Sequence, residues 1–562
     1  MNSRLLKGLS FASVILGFFM ALLDTTIVNI ALPEIARSFG TTQKDISWAI
    51  NGYNLAFAIF IITASRIADQ FGRKRIFLVG IGVFTAASLM CGSAGSLTSL
   101  VFFRVIQGMA AAVIVPVTVP LVLQLFSREK QGALMGAWGA IAGLAAASGP
   151  ALGGFITSNL NWHWVFYVNL PFGIITIVLG MLLIQESFDP TASRKIDFGG
   201  IASLSVAMFS LTFALIRGND LGWGSLTIVG LFVLSAAATC AFLLIEQRSS
   251  EPMLPLSLLR IGPFVGSAVT LLFLGAGMMS AIFMTAFYLT TVMGLSVLDA
   301  GLAVSVMPLA SIATSAFAGP LSAKAGSRLF SGLGMALMAL SVFLLGYLGP
   351  DSSTGDVVWR LLITGAGMGM TIAPVMGSAM RNTPPDKSGV VSGVLNMSRA
   401  LGTVLGVAVL VAILNSTMGS ALIDVKANVG AMVQNDPALN PAIKAAVLGN
   451  MSKTGATQRR EAQKADVVLA KIDEQEAFVL AKASTEQKAA IQEAFDVQKR
   501  EVGKLWKTMQ AEVRRGMAVA FDQAFRYGSL ILVIGVFSAL FSDTRGRGNG
   551  SIPVGAVVSA DA

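Results

Sequence analysis

An all-α membrane protein with fourteen spanning helices, grouped six, two and six, is the fold class that this sequence predicts, and three observations predict it. Of its 562 residues 54% are hydrophobic and 12% charged, and the mean hydropathy of +0.73 is too apolar for a soluble globular chain. The apolar residues fall in runs long enough to cross a hydrocarbon core, which takes roughly 20 residues as a helix. The short loops between runs alternate sharply in Lys and Arg content, as the positive-inside rule requires. The same rule accounts for the net charge of +10, so no nucleic-acid partner is expected. Cys91 and Cys240 both sit in apolar runs, which suggests neither a disulfide framework nor a thiol metal site.

In chain order the spans read 11–32, 47–67, 76–95, 99–121, 132–156, 164–184, 199–216, 225–245, 263–290, 299–322, 329–348, 357–379, 389–414 and 524–541. The run from Phe11 to Met20 has the length of a signal peptide's apolar region. Asp24 follows it without a small-residue cleavage site, so it reads as a retained first helix. Arg73, Lys74, Arg75, Arg128, Lys130, Arg194, Lys195, Arg248, Arg260, Lys324, Arg328, Arg381, Lys387, Arg545 and Arg547 share a side with Arg4 and Lys7. The opposite short loops offer only Arg37, Lys44 and Arg217, which predicts both termini on the cytoplasmic side of the cell (inner) membrane. Trp48, Trp162, Trp164 and Trp223 fall near predicted outer helix ends, where interfacial aromatics gather.

Gly108, Gly132, Gly136 and Gly149 recur at an offset of 257 as Gly365, Gly389, Gly393 and Gly406. The loop 65–77 has a degraded partner in 319–330, each following the second helix of its half. The expected layout is a six-helix bundle over 1–184, two added helices with linkers over 185–262, and five helices of a second bundle over 263–414. An insertion over 415–523, the last span at 524–541 and a disordered cytoplasmic tail over 542–562 complete it. Parallel repeats of this kind place a substrate cavity between the halves. The insertion is rich in Lys, Glu, Ala and Gln and lies outside the cytoplasm by parity. Pro437 and Pro441 mark an irregular start, 461–482 is helical in pattern, and Ser484 with Gln487 offers a capping box. The apolar residues Ile491, Phe495, Val502, Leu505, Met509, Val513 and Met517 then predict a second arm running into the last span. Two arms with apolar stripes must pack on each other, on the outer helix ends or on a partner, so the segment is expected to shape the exit or to dock an external adaptor protein.

Asp24 is the one carboxylate well inside a strongly apolar segment. A charge near the middle of a spanning helix costs at least about 2.5–3.5 kcal/mol, so such a residue faces protein or water and marks an ion or proton path, or else a packing pair. Arg104, in Arg104-Val105-Ile106-Gln107-Gly108, is a second intramembrane charge, although its place a few residues into the helix would also let it snorkel to the outer interface. Gly136, Gly149-Pro150 and Gly153-Gly154 give the fifth span a small-residue face and a missing backbone donor.

These residues together resemble the major facilitator superfamily, and within it the fourteen-helix drug:proton antiporters, over nearly the whole chain except 415–520 and the tail. The family's loop pattern G-x-L-A-D-R-x-G-R-K reads here Ser65-Arg66-Ile67-Ala68-Asp69-Gln70-Phe71-Gly72-Arg73-Lys74, with Ser65 and Gln70 departing. The resemblance implies a gating latch at Asp69, Gly72, Arg73 and Lys74, proton coupling at Asp24 and Arg104, and antiport from the fifth-span signature, in which Ala145 replaces one glycine. The stretch Asp24 to Pro33 looks like the first-helix signature of the fourteen-helix group. Asn29, five residues after Asp24 and off its i,i+4 face, together with Gln107, Asn396 and Arg399, is a candidate for the cavity lining. Relatives that export dications place extra acids in helices 10 and 13, whereas this chain has only Asp299 at the outer end of one and none in the other.

The implied function is export of amphipathic or cationic organic compounds in exchange for protons, with a dedicated exporter of one metabolite, siderophore or amino acid as the alternative. An enzyme acting on lipids or glycans is the reading from another class. One histidine, His163, no H-E-x-x-H, no G-x-S-x-G and no paired carboxylates in the spans argue against it. The absence of G-x-x-x-x-G-K-[ST] argues against ATP as the drive, and no cofactor or metal is expected.

Overall fold

The computed structural model describes residues 3–125, 128–188, 197–250, 252, 254, 256–383, 388–435, 441, 444, 472–473, 476–477, 479–481 and 484–543. The first half comprises α1 (Ser3–Phe39), α2 (Gln43–Ile46), α3 (Trp48–Phe71), α4 (Arg73–Gly92), α5 (Leu97–Gln124), α6 (Arg128–Asn159), α7 (Trp164–Tyr167) and α8 (Asn169–Leu183). Then come α9 (Phe198–Leu221) and α10 (Leu226–Arg248). The second half holds α11 (Gly262–Thr291), α12 (Val297–Ala325), α13 (Ser327–Leu345), α14 (Thr354–Arg381), α15 (Ser388–Asn435) and α16 (Thr485–Ala539). Among the described residues 13 stretches are long and apolar enough to cross a membrane, and no strand occurs. The predicted span 132–156 is helical within α6, where the side chains of 128–140, including the face at Gly136, lie outside the described residues. Arg194, Lys195, Pro437, Lys387, Arg545, Arg547 and most of 461–482 also lie outside them.

The repeated glycines perform the same task in both halves. A Cβ on Gly108 would stand 2.2 Å from the Tyr53 carbonyl oxygen, and one on Gly365 2.0 Å from that of Met307, so the fourth helix of each half crosses the second at backbone contact. Gly149 lies likewise against Thr26 of α1, and Gly406 against Ala276 of α11. Gly72 and Gly326 both turn the chain at positive φ, 108° and 95°, between the second and third helices of their halves.

In each half a carboxylate from just after the last helix caps the helix that follows that turn. Glu186 Oε1 and Oε2 accept from the backbone N–H groups of Lys74 and Arg75 at 2.9 and 3.2 Å, and Asp543 Oδ2 accepts from Ser327 N at 2.8 Å. A negative group at a helix N-terminus satisfies orphan donors and the macrodipole together. Ser542 and Asp543 are therefore buried, where the sequence reading began a disordered tail at 542; residues 544–562 lie outside the described set.

The halves meet along two lines. Gly301 of α12 approaches the Pro150 carbonyl of α6 so closely that a Cβ would stand 2.2 Å away, and Gly154 lies against Val297 and Leu298. Gly393 of α15 faces Ile62 of α3. Along this second line α9 packs against both α3 and α15, and α10 packs on α9. Leu226, Val233 and Leu244 of α10 stay exposed, as lipid-facing residues do. Asp220 pairs with Lys44, Arg217 Nη2 meets Asp45 Oδ1 at 3.0 Å, and Asn219 Nδ2 donates to the Ala412 carbonyl at 2.6 Å. With Arg37 on Glu34 at 2.7 Å, all three basic residues of the predicted outer loops are neutralised by acids.

The span predicted to end at 414 continues unbroken to Asn435, making α15 48 residues long, and α16 runs for 55. At 1.5 Å per residue these reach about 72 and 82 Å, more than twice a bilayer core of about 30 Å. Val425, Val429 and Val433 of α15 and Val502 of α16 share a small apolar core with Ile472 from the stretch between the two helices. The second arm is one helix with the last span, as its uninterrupted pattern predicted.

Candidate functional site

Five helices of the first half converge on Asp24, which is 0% exposed. It cannot be satisfied from α1, whose own backbone donors are engaged in the helix, so neighbours must supply the donors. Arg104 of α5 does so through Nη1, which pairs with Asp24 Oδ2. Gln107, one turn along α5, donates from Nε2 to Asp24 Oδ1 at 2.9 Å, and Asn169 donates from Nδ2 to the same oxygen at 3.0 Å. Ser88 Oγ of α4 accepts from both amides, at 2.7 and 2.9 Å.

The guanidinium is held from every side. Arg104 Nε donates to the Ala49 carbonyl of α3 at 3.0 Å, and Nη1 also donates to Gln107 Oε1 at 2.7 Å. Its Cζ lies 4.2 Å from the centroid of the Tyr53 ring, within cation–π reach. Arg104 is 2% exposed and turned inward, so it does not snorkel. Such a pair is costly to desolvate and tolerable only because further hydrogen bonds complete it.

Asn169, Ser88 and Tyr53 escaped the sequence reading. Asn169 sits where the sixth span breaks between α7 and α8, two residues before Pro171, which cannot donate a backbone hydrogen bond. One Asn at the start of a helix carries no sequence signal of a long-range partner. Its Oδ1 is buried without a hydrogen bond. Asn29, by contrast, turns away from Asp24: its Nδ2 donates to the Thr25 carbonyl at 2.7 Å and its Oδ1 is unpaired. Asn396 and Arg399 lie in the other half on α15. His163 Nδ1 is 2.6 Å from the Gly92 carbonyl, and its ring stacks on Trp162 with centroids 3.7 Å apart, which accounts for it structurally.

The small residues of α6 tie this cluster to the boundary between the halves. Cβ atoms on Gly149 and Gly153 would lie 1.9 Å from Thr26 Oγ1 and 2.5 Å from the Ile27 carbonyl, two and three residues after Asp24 on α1. Pro150 and Gly154, on the neighbouring face of α6, meet Gly301 and Val297 of α12. One helix thus touches the Asp24 segment and the opposite half at the same height.

At the Gly72 turn, Arg73 Nε donates to Asp69 Oδ1 at 2.7 Å and Lys74 Nζ to the Met181 carbonyl at 2.8 Å. A Cβ on Gly72 would lie 2.7 Å from Glu186 Cδ, so the site needs glycine for space as well as for φ. An acid in this turn can pair with basic groups or with a helix N-terminus; in this conformation Asp69 pairs with Arg73, and Glu186 holds the N-terminus of α4.

Residues 14–407 match the family model described as Major Facilitator Superfamily. The chain is 32% identical over 399 residues to the tetracenomycin C resistance and export protein of Streptomyces glaucescens, covering 69% of this chain and 72% of that protein. It is 34% identical over 391 residues to the multidrug resistance protein Stp of Mycobacterium tuberculosis, with the same coverage. To the multidrug transporter protein MdtP of Bacillus subtilis it is 32% identical over 398 residues, covering 70% and 73%. A bacterial homologue of the human lysosomal transporter Spinster, in an inward-facing and occupied conformation, superposes with a TM-score of 0.55 at 15% identity over 95% of this chain and 96% of that one, a likeness of fold.

Proposed function

Because this chain belongs to the Major Facilitator Superfamily, a family of membrane transporters, we propose that it exports amphipathic or cationic organic compounds across the cell membrane in exchange for protons. The observation that carries the reading is the fully buried Asp24–Arg104 pair. A carboxylate sealed among amide donors and one guanidinium changes its bonding whenever it takes up or releases a proton. Protonation at Asp24 Oδ1 turns an acceptor into a donor, and rotation of the Asn169 amide would present its spare oxygen to that new O–H. The loosened Asp24 segment of α1 presses on α6 through Gly149 and Gly153, and α6 passes the change to α12 through Pro150 and Gly154. The halves then rock about these contacts to expose the cavity on the other side.

The test is proton release in inverted membrane vesicles on adding lipophilic cations, neutral amphiphiles and single metabolites in turn. Response to several amphiphiles is expected. A response to one metabolite, siderophore or amino acid alone would establish the dedicated exporter instead, and no proton release with any compound would overturn the coupling.

In this reading both termini face the cytoplasm and the Gly72 turn is a cytoplasmic latch. Asp69→Asn removes the negative charge paired with Arg73 and leaves only a neutral amide oxygen to accept from its Nε. A contact present in one access state only shifts the two populations tenfold for about 1.4 kcal/mol. Turnover should therefore fall several-fold with substrate affinity little changed, and unchanged inward and outward populations by distance measurement would refute the latch.

The projecting parts of α15 and α16 then stand outside the cytoplasm, where they shape the exit or dock an adaptor. Replacing 440–500 by a flexible linker should preserve insertion and reduce export. Equal export by the shortened chain, shown present in the membrane, would make the segment dispensable.

A further inference from the structure

We propose that Arg399, with Asn396 and with Asn51 from the opposite half, binds an anionic group on the exported compound, so that the favoured cargo is an amphipathic acid rather than a permanent cation. This rests on the export reading and narrows its substrate class to amphipathic compounds that carry an acid, in place of the cationic ones.

Arg399 lies about 16 Å along α15 from its start, near the middle of a core of about 30 Å. The packing of α15 fixes the direction of this stripe. A Cβ on Gly393 would lie 3.2 Å from Ile62 of α3, and one on Gly402 1.8 Å from the Leu272 carbonyl of α11, so these two positions mark opposite sides of the helix. At 100° per residue Asn396 and Arg399 fall between those sides. Further along α15, Asn219 of α9 reaches the Ala412 carbonyl and Gly528 of α16 packs on Leu410. At its own height the stripe therefore lies between α3 of one half and α11 of the other.

Arg399 is half-buried there, and a guanidinium opening onto lipid at this depth is costly, so its exposed part must open onto polar space. Its polar contact is a long one, Nη2 to Asn396 Oδ1 at 3.5 Å, and no carboxylate pairs with it among the described residues. Two other arginines on spanning helices differ: Arg104 has Asp24, and Arg360 has the Asp356 carboxylate 4.0 Å away at a helix end. A cation left without a counter-charge at mid-membrane is favourable only if an anion or water visits it.

Asn51 is an independent observation on the facing helix. It lies three turns from Ile62 on the same face of α3, is 0% exposed, and has neither amide atom bonded. A planar donor fork flanked by two amides matches a carboxylate, phenolate or sulfonate, and gives a lipophilic cation only repulsion.

The test is equilibrium binding to the purified full chain in lipid nanodiscs, read by energy transfer from tryptophan. Two probes of closely similar aromatic framework are compared: 8-anilinonaphthalene-1-sulfonate, and the uncharged N-phenyl-1-naphthylamine. Arg399→Gln should lower affinity for the sulfonate roughly ten- to a hundredfold, the range for a charge-assisted hydrogen bond, and leave the neutral probe within about twofold. Arg399→Lys should recover part of the sulfonate affinity. Wild-type sulfonate affinity in Arg399→Gln, or equal loss of both probes in a monodisperse sample, would overturn the site. Because binding is read without a proton gradient, a failure of proton coupling in vesicles would overturn the export reading and leave this result standing.

Discussion

Asp24→Asn is expected to abolish substrate-driven proton release and uphill export while the protein still inserts and folds. The Asn side chain keeps one carbonyl oxygen for Arg104, and its new N–H donors face Gln107 and Asn169, whose amides now donate to Asp24. Asn169 has an unpaired oxygen to turn towards them, so the neutral side chain can be satisfied without a cavity or a clash. What is lost is the exchange of a proton, which no other carboxylate on this cluster can replace, because its remaining polar members are Arg104, Gln107, Ser88, Asn169, Tyr53 and Cys91. Export at the wild-type rate from a pH gradient would rule out Asp24 as the coupling group. Loss of the folded protein would assign it to packing alone.

The parts legible in the sequence are those set by one-dimensional chemistry. Span length and loop charge located the helices, the 257-residue offset found the two halves, and the cost of an intramembrane carboxylate singled out Asp24. Glycine spacing was legible as close packing, and Gly149 proves to face Thr26 on the very helix that carries Asp24. Illegible were the partners that only folding brings together: Asn169 and Ser88 are polar residues in apolar helices with nothing in the local pattern to name Asp24 as their neighbour. The capping pair Glu186 and Asp543 was hidden for another reason, since the long insertion separates the second of them from its half and breaks the repeat offset. The predicted end of the thirteenth span at 414 gave no sign of the end of α15, because the helix continues to Asn435 past the point where polarity changes and backbone conformation does not.

The second large effect is on stability and concerns Arg104. Arg104→Gln leaves Asp24 buried with two neutral amides for company, and removing one partner of a buried ion pair costs about 3–5 kcal/mol, because the charge that remains is uncompensated. The double variant Asp24→Asn with Arg104→Gln removes both charges and both desolvation costs. It should therefore be more stable than Arg104→Gln alone, although equally inactive in export. Thermal unfolding of wild type, both single variants and the double variant in one detergent closes the cycle, with an expected coupling of about 2 kcal/mol or more between the two positions. Residues that share no interaction add within about 0.5 kcal/mol, so additive effects on unfolding would mean that the Asp24–Arg104 pair does not hold the first half together. A stable but transport-dead double variant would separate the two roles: neutral side chains suffice to pack the junction of α1, α3, α4, α5 and α8, whereas moving a proton through it requires the acid.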